Sequence, residues 1–313
     1  MAYRFKREDG SVQEGVRRIA LEQIGRMLRA IDAASADSDH AVHDLRKSCK
    51  KVRGLLRLVR PAFAHYSEEN AAFRNIASSV SVVRDAAVLT DSYDAVMEAH
   101  EEQGERHALA SIRRELTLRS KRPAATRNPV ELLEQTRAPL MRAAERVQQW
   151  EIDAEGFDAL QGGLRKTCRR AQKAMRRAEH HPSPRRFHEW RKRCKDHGCH
   201  TRLLRAVWPG PMKAYATCAQ ELSDLLGNHH DLAVFLETIT DEPSAFGNPS
   251  DVEVMVGLVR RRQDGLATQS FALGKRLFAQ SPKALVYSWG VRYAVWRNEE
   301  PAFAVVLRDS GPT

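Results

Sequence analysis

One sequence pattern occurs twice in this chain, 145 residues apart and without a gap between the paired positions. The segment His43-Asp-Leu-Arg-Lys-Ser-Cys-Lys-Lys-Val-Arg53 returns as His188-Glu-Trp-Arg-Lys-Arg-Cys-Lys195, and the same frame pairs Arg57 with Arg202. An internal repeat of this length predicts two similar halves. A chain of 313 residues is long enough for those halves to share one hydrophobic core.

The apolar residues follow a helical period almost throughout, and no alternating strand pattern is found, so we predict an all-α fold. A polar stretch with two prolines at residues 121–129 separates the halves. We therefore predict one helical bundle over residues 11–122, a second over 130–298, and a C-terminal tail over 299–313. The predicted helices are 11–33, 39–60, 67–89, 91–102, 105–120, 130–149, 155–179, 184–206, 212–226, 230–239, 251–279 and 282–297.

Serines stand at the predicted starts of the two repeated helices. Ser11 and Glu14 form a capping box for the first helix of the chain. Ser38 and Ser183 are 145 residues apart and are predicted N-caps, with Pro184 at the first helical position. Each repeated histidine then lies about five residues inside its helix, near the positive end of the helix dipole, where anions are favoured.

At 100° per residue, each repeated helix has an apolar stripe and a cationic row about 120° away from it. Each row extends over roughly 25 Å. Like charges at this spacing repel one another, so a chain of phosphates that neutralises them is a simple explanation for the pattern. The first row consists of His43, Lys47, Lys50 and Arg57, with Arg46, Arg53 and Arg60 along its border with the apolar stripe. The second row consists of His188, Arg191, Lys192, Lys195, Arg202 and Arg205.

A third basic helix precedes the second copy. Four of its cations, Arg165, Arg169, Lys173 and Arg176, fall on one side at 100° per residue. They could complete the wall of a basic groove, and an ordinary solvent-exposed face is the alternative.

The positive charge of the chain is concentrated in these segments. Residues 41–60 carry a net charge of +6 and residues 164–205 a net charge of +12, whereas the whole chain carries +11, so the remainder is net negative. This distribution indicates an anionic partner.

These residues resemble the CHAD family, the conserved histidine α-helical domain. The resemblance rests on the doubled His-x-x-Arg-Lys pattern, on an opening segment beginning at Glu14, and on Leu222-Ser-Asp-Leu-Leu-Gly-Asn-His-His-Asp231 after the second copy. Arg84-Asp85 and His230-Asp231, 146 residues apart, add to it.

The resemblance implies two pseudo-symmetric helical bundles around a central basic cavity. It also implies binding of inorganic polyphosphate through the two cationic rows, association with polyphosphate granules, and no catalysis. The chain departs from the pattern where Gly198 replaces the equivalent of Arg53 and Asp196 the equivalent of Lys51. Glycine costs about 1 kcal/mol inside a helix, which puts the second half-site in doubt.

Other motifs are weaker. The chain has no glycine-rich phosphate loop, nucleophile elbow or His-Glu-x-x-His motif, so we expect no enzymatic activity and no cofactor. The His-His-Asp segment after Gly227 could hold a metal. A helix end at Gly227, with Asp231 salt-bridged to a basic helix, is the favoured interpretation. Cys194, His197, Cys199 and His200 fan out over several faces of one helix, so we predict no metal site.

The five cysteines have no disulfide or zinc spacing, which predicts reduced, buried thiols in a reducing compartment. The N-terminus has no apolar signal core, and no apolar run approaches the roughly 20 residues that cross a bilayer. We therefore expect a cytoplasmic protein without a membrane partner. Two rival functions remain open, a nucleic-acid-binding protein that uses the same basic surface and a scaffold that docks an acidic protein.

Overall fold

The computed structural model describes residues 3–80, 85–99, 109–121 and 128–298, and within these ranges it contains helices and no strand, which confirms the all-α class. Of the predicted linker at 121–129, residues 122–127 lie outside the described residues, whereas Lys121 and Pro129 belong to the helices on either side; the tail at 299–313 also lies outside the described residues. The α-helices of the described ranges are α1 Val12–Asp32, α2 Ser38–Val59, α3 Tyr66–Ser79, α4 Asp85–Glu98, α5 Ala110–Lys121, α6 Pro129–Glu134, α7 Arg137–Gln148, α8 Asp158–His180, α9 Pro184–Leu203, α10 Pro209–Asp241, α11 Pro249–Leu277 and α12 Pro282–Asn298.

Local capping sets where the two basic helices begin. Ser183 caps α9 as predicted, and its hydroxyl accepts a hydrogen bond from the Arg186 backbone N–H. The prediction that Ser38 caps α2 was wrong. Asp37 is the N-cap, its carboxylate accepts from the His40 backbone N–H at 3.0 Å, and Ser38 is the first helical residue. A carboxylate one residue earlier takes the cap because its charge also favours the helix N-terminus.

Helix α10 is one continuous helix, so the predicted break between 212–226 and 230–239 was wrong. Gly227 does not end the helix. A Cβ atom at this position would lie 2.8 Å from Nη2 of Arg191 on α9. The glycine therefore lets the guanidinium lie against the α10 backbone.

The predicted helix 130–149 is divided into α6 and α7, which is a second correction. The turn between them forms at Thr136, whose hydroxyl donates to the Leu133 carbonyl at 2.6 Å while its backbone N–H donates to the same oxygen at 2.9 Å. Threonine hydroxyls compete with helical hydrogen bonds in this way, and the buried position of Thr136 favours the local bond.

Two apolar cores hold the helices together. The larger includes Leu55 and Leu56 of α2, Leu164 of α8 and Trp190 of α9. The smaller joins α4 and α5 to the C-terminal half of α10 and to α11. Each core takes helices from both predicted halves. The helix pairs α1 and α8, and α2 and α9, both begin 146 residues apart, while the pseudo-symmetry and the division into two repeats remain predictions.

All five cysteines are free thiols. Burial raises the pKa of Cys49 to about 12 and that of Cys168 to about 11. Over the described residues, no helix combines the length and the apolar character that spanning a membrane requires.

The contact between α8 and α2 depends on Gly163. A Cβ atom there would lie 1.9 Å from the carbonyl oxygen of Leu58, so the two backbones touch directly. We predict that Gly163→Ala lowers the free energy of unfolding by about 1–3 kcal/mol or more through overpacking, although alanine alone favours a helix by about 1 kcal/mol. Denaturant titration followed by circular dichroism measures the change.

Gly257 on α11 is the matched control, because a Cβ atom there meets nothing within 4 Å. Gly257→Ala is expected to stabilise the fold slightly. Equal effects of the two substitutions would contradict the proposed α2–α8 contact.

Two fully buried histidines of α9 make the fold sensitive to acid. Burial lowers the pKa of His197 to about 4 and that of His200 to about 3. An unfolded histidine takes up a proton near pH 6.5, so the unfolded state binds more protons between that pH and about 4, and stability falls as the pH falls through this window. From pH 7 to pH 5, His197 alone is expected to remove about 2 kcal/mol.

His197→Phe tests this expectation, because the ring at this position packs among Phe278 and Trp289. The variant should lose about 2 kcal/mol less than the wild type between pH 7 and pH 5 in denaturant titrations. The exposed His40→Gln serves as the control. A variant whose acid loss equals that of the wild type disproves the role of His197.

Candidate anion-binding site

The two basic helices cross at their cationic faces. Gly54 of α2 meets Cys199 of α9, where a Cβ atom on the glycine would lie 3.0 Å from the Cys199 Cβ. The His200 Nε2 lies 3.1 Å from the Gly54 carbonyl oxygen at the same crossing. Gly54 and Cys199 are themselves 145 residues apart. The predicted cationic rows therefore meet on one side of each helix and do not point to opposite sides of the molecule.

Charges from the two rows come close to one another beside this crossing. The pKa of Lys195 is lowered to about 8, first by burial of its ammonium and then by the positive charges of Arg191 and Lys50, while the carboxylates of Asp224 and Asp231 oppose the shift. Lys50 and Lys195 are equivalent under the 145-residue shift. Both side chains keep access to solvent, so an anion could reach them from outside.

On α2, the N-terminal part of the row is the most accessible. His43, Lys47 and Lys50 are exposed and Arg46 is half-buried. Farther along, Arg53 donates from Nε to the side-chain oxygen of Asn70 at 3.1 Å.

Arg57 does not offer a free charge. Its guanidinium is 3.1 Å from the carboxylate of Asp196, which also binds Arg193 at 2.9 Å. Burial raises the pKa of Asp196, whereas the charges of Arg57 and Arg193 act to lower it. The replacement of a lysine by Asp196 in the second copy thus neutralises a cation of the first.

On α9, the carboxylates of α9 and α10 accompany the cations. Lys192 lies 2.8 Å from Glu189, and Arg191 lies 3.8 Å from Asp231 of α10, which confirms the predicted link between Asp231 and a basic helix. Arg202 is exposed and donates to the Gln220 side chain at 3.2 Å. Arg205 is exposed in the short 3-10 turn after α9.

The row histidine of α9 has a second imidazole beside it. The rings of His188 and His230 lie 4.3 Å apart, and the Nδ1 atom of each is buried without a hydrogen-bond partner. The pKa of His188 is lowered by burial and then by the charges of His230, Lys192 and Arg191, with Glu189 opposing them. At neutral pH the His188 ring is therefore uncharged, and a bound anion would favour its protonation.

The predicted third basic helix, α8, lies against both basic helices. Its cations Arg165, Arg169, Lys173 and Arg176 are all exposed. The charge of Arg193 on α9 lowers the pKa of Arg170, after burial, so α8 and α9 present neighbouring positive charges.

Comparison with known proteins identifies the family. The family model described as the CHAD domain matches residues 18–240, which is more than half of the chain. The chain belongs to the CHAD domain family. Two similar proteins come from Mycobacterium tuberculosis, the uncharacterized proteins MT2285 of strain CDC 1551 / Oshkosh and Rv2226 of strain ATCC 25618 / H37Rv. Each is 26% identical over 270 residues, which cover 80% of this chain and 50% of the relative. The chain thus spans about half the length of these curated relatives.

Three features of this CHAD domain were missed in the sequence. The proximity of His230 to His188 and the ion pair of Asp196 with Arg57 both join residues from different helices. The crossing at Gly54 and Cys199 had a usable signal, because two small residues occupy equivalent places in the middle of the cationic rows. Small residues on a helix face permit close approach of a second helix.

Metal binding has no support at this site. Among the residues that the CHAD domain structure describes, no group of three or more histidine, cysteine or acidic side chains could hold a metal ion. Of the four residues weighed as ligands on α9, His197 and His200 are fully buried in the apolar core.

Proposed function

We propose that this CHAD domain binds inorganic polyphosphate at the α2–α9 crossing, without catalysing a reaction. The observation that carries the proposal is the Gly54–Cys199 contact, because Lys50 and Lys195 each stand one helical turn before it on α2 and α9. The charge of Lys50 also lowers the pKa of Lys195, after burial and the charge of Arg191. Like charges gathered at one place raise the energy of the empty protein, and a chain of phosphates removes that repulsion.

The ligand would lie along the accessible parts of both rows. Lysines supply compact charges and arginines supply forked donors, and both suit phosphate oxygens. Release of counterions from the polymer would favour binding, so affinity should fall steeply with salt. The proposed contacts are His43, Arg46, Lys47 and Lys50 on α2 and His188, Arg191, Lys192 and Lys195 on α9, with Arg53 and Arg202 at the margins.

The neighbourhood of His188 supports binding over catalysis. A general base needs a partner that orients its ring, and His188 faces the imidazole of His230. The carboxylates that follow the two row histidines in sequence have other partners. Asp44, next to His43, lies 3.5 Å from His40, and Glu189, next to His188, binds Lys192 and Arg193.

Nucleic acid is the second candidate, since the same charges attract any phosphate backbone. Single-stranded nucleic acid is usually held by aromatic side chains that stack on bases. The two aromatic residues of α9 next to the cationic row, Phe187 and Trp190, are buried in the core and cannot stack on a ligand. This favours a polymer without bases.

Cytoplasmic polyphosphate granules are the cellular location that we propose.

Charge reversal tests the site. We predict that Lys47→Glu with Lys192→Glu abolishes polyphosphate binding in a filter-binding titration, because one strong contact is reversed in each row. Binding of the wild type should weaken when the salt concentration is raised. Both lysine side chains are exposed to solvent, so the helical content of the variant should be unchanged.

The matched control reverses two exposed arginines away from the crossing, Arg142→Glu on α7 and Arg260→Glu on α11. It changes the net charge equally and should keep most of the affinity. Retained binding in the lysine variant would refute the site. Competition separates the ligands: long-chain polyphosphate should displace bound DNA at a far lower phosphate concentration than the reverse, and the opposite order favours nucleic acid.

The pH dependence of binding tests the part played by the histidines. Because the unbound His188 ring is neutral and an anion raises its pKa, proton uptake accompanies binding, and affinity should rise as the pH falls from 8 to 6. Long-chain polyphosphate is the ligand to use, since its titratable terminal groups are a small fraction of its phosphates. His188→Asn should flatten the pH profile while retaining binding at pH 8. A wild-type affinity that does not change across this range disproves proton-linked binding.

A further inference from the structure

A second basic concavity lies on the C-terminal half of α8. It is a pocket of about 770 Å³. No acidic residue lines it, and besides His180 and His181 its lining consists of five cations, Arg169, Arg170, Lys173, Arg176 and Arg177.

The carboxylates closest in sequence are held elsewhere. Glu179 of α8 binds Lys275 on α11 at 2.6 Å, and Glu189 of α9 binds Lys192 and Arg193, each at 2.8 Å. In the part of the chain that the structure describes, none of the pocket's five cations has a carboxylate within ion-pair distance. The cations of the pocket therefore have no ion pair among the described residues, although the charges of Asp196 and Glu189 on α9 act on Arg170.

The helix dipole explains only part of this cluster. Cations are favoured in the last turn of a helix, which accounts for Arg177 and His180 near the end of α8. Arg169, Arg170 and Lys173 lie earlier, beyond the reach of that effect. At helical spacing these like charges repel one another, so an anion that binds them would be stabilising.

The pocket is connected electrostatically to the α2–α9 crossing. Arg170 lines the pocket, and its pKa is lowered by burial and then by the charge of Arg193. Arg193 in turn shares the Asp196 carboxylate with Arg57 of α2. In addition, α8 ends at His180 and α9 begins at Pro184, so the pocket lies beside the end of α9 that carries His188 and Lys192. The pocket thus borders the ion pairs of Arg193, Asp196 and Arg57, which link α8 to the crossing.

We propose that the α8 pocket is a second contact for the polymer bound at the crossing, so that a linear polyphosphate long enough to reach both is held more tightly than a short one. The inference rests on the proposed function and adds selection by chain length to it. A short phosphate chain binds at the crossing alone. A long one spans both sites, and its second contact forms at the high effective concentration that the first contact creates.

The test compares two ligands on two variants of the full chain. The pocket variant carries Arg169→Gln, Lys173→Gln and Arg176→Gln, and the control carries Arg142→Gln, Arg260→Gln and Arg261→Gln, which remove the same charge from exposed positions on α7 and α11. Affinities for tripolyphosphate and for long-chain polyphosphate are measured at several salt concentrations.

In the pocket variant, affinity for the long chain should fall about tenfold or more. The slope of log affinity against log salt concentration should become shallower by roughly 2, because three phosphate contacts are lost and each contributes about 0.7 to the slope. Its tripolyphosphate affinity should match that of the wild type, and the control should match the wild type with both ligands.

Two other results overturn the inference. If the wild type binds both polymers and the pocket variant loses the same factor for each, the pocket does not select length, and the proposed function stands without it. If the wild type binds neither polymer, the proposed function fails and the second contact fails with it.

Discussion

The contact between Gly54 and Cys199 determines the character of this molecule, because it brings two helices together through their charged faces. Like charges held near one another at a protein surface repel, and the charge of Lys50 on α2 acts to lower the pKa of Lys195 on α9, after burial and the charge of Arg191. The opposite faces of the same helices offset that cost. On α2, Leu45, Leu55 and Leu56 are fully buried, and each contributes about 1.5–3 kcal/mol. The apolar core therefore fixes the positive charges in a position that they would not adopt by themselves, which is a general property of preorganised anion sites.

The two ends of the crossing differ in charge although their sequences are equivalent. Arg57 faces Asp196 and is neutralised by it. The equivalent pair, Arg202 and Lys51, consists of two cations, and the pKa of Lys51 is lowered by burial and then by the charges of Arg26, Lys47 and Arg202. The replacement of lysine by aspartate at one position thus turns repulsion at the Arg202–Lys51 end into attraction at the Arg57–Asp196 end. The sequence comparison correctly singled out Asp196 as a departure, but its effect falls mainly on the first copy's arginine, whereas a weakening of its own half-site was expected.

How far the sequence predicted the structure depended on the range of the interactions involved. The period of the apolar residues predicted the buried faces of α1, α2, α8 and α9, because which residues share a helix face depends only on their spacing along the chain. Capping chemistry predicted Ser183 and Ser11 for the same reason. Gly227 was wrongly predicted to end a helix. The missing side chain instead leaves room for the Arg191 guanidinium of α9 against the α10 backbone. Likewise, no local pattern shows that His230 lies beside His188 or that Asp196 pairs with Arg57. The order of charges along a helix was therefore predictable, while their partners, apart from Asp231, were not.

Protonation of the α9 histidines is expected to have opposite effects on folding stability and on ligand affinity. His197 and His200 are neutral in the core, so acid favours the unfolded chain. His188 lies at the edge of the cationic row, where a bound phosphate chain would favour its charged form. A ligand that binds only the folded state stabilises it by RT ln(1 + [L]/Kd), so tighter binding in acid would oppose the loss of stability caused by the buried rings. At about a hundredfold excess of ligand over Kd this term is about 2.7 kcal/mol, which exceeds the roughly 2 kcal/mol that one buried histidine removes at pH 5 and offsets most of the roughly 4 kcal/mol that His197 and His200 remove together. The occupied protein should therefore tolerate acid that destabilises the empty one, and the same helix accounts for both effects.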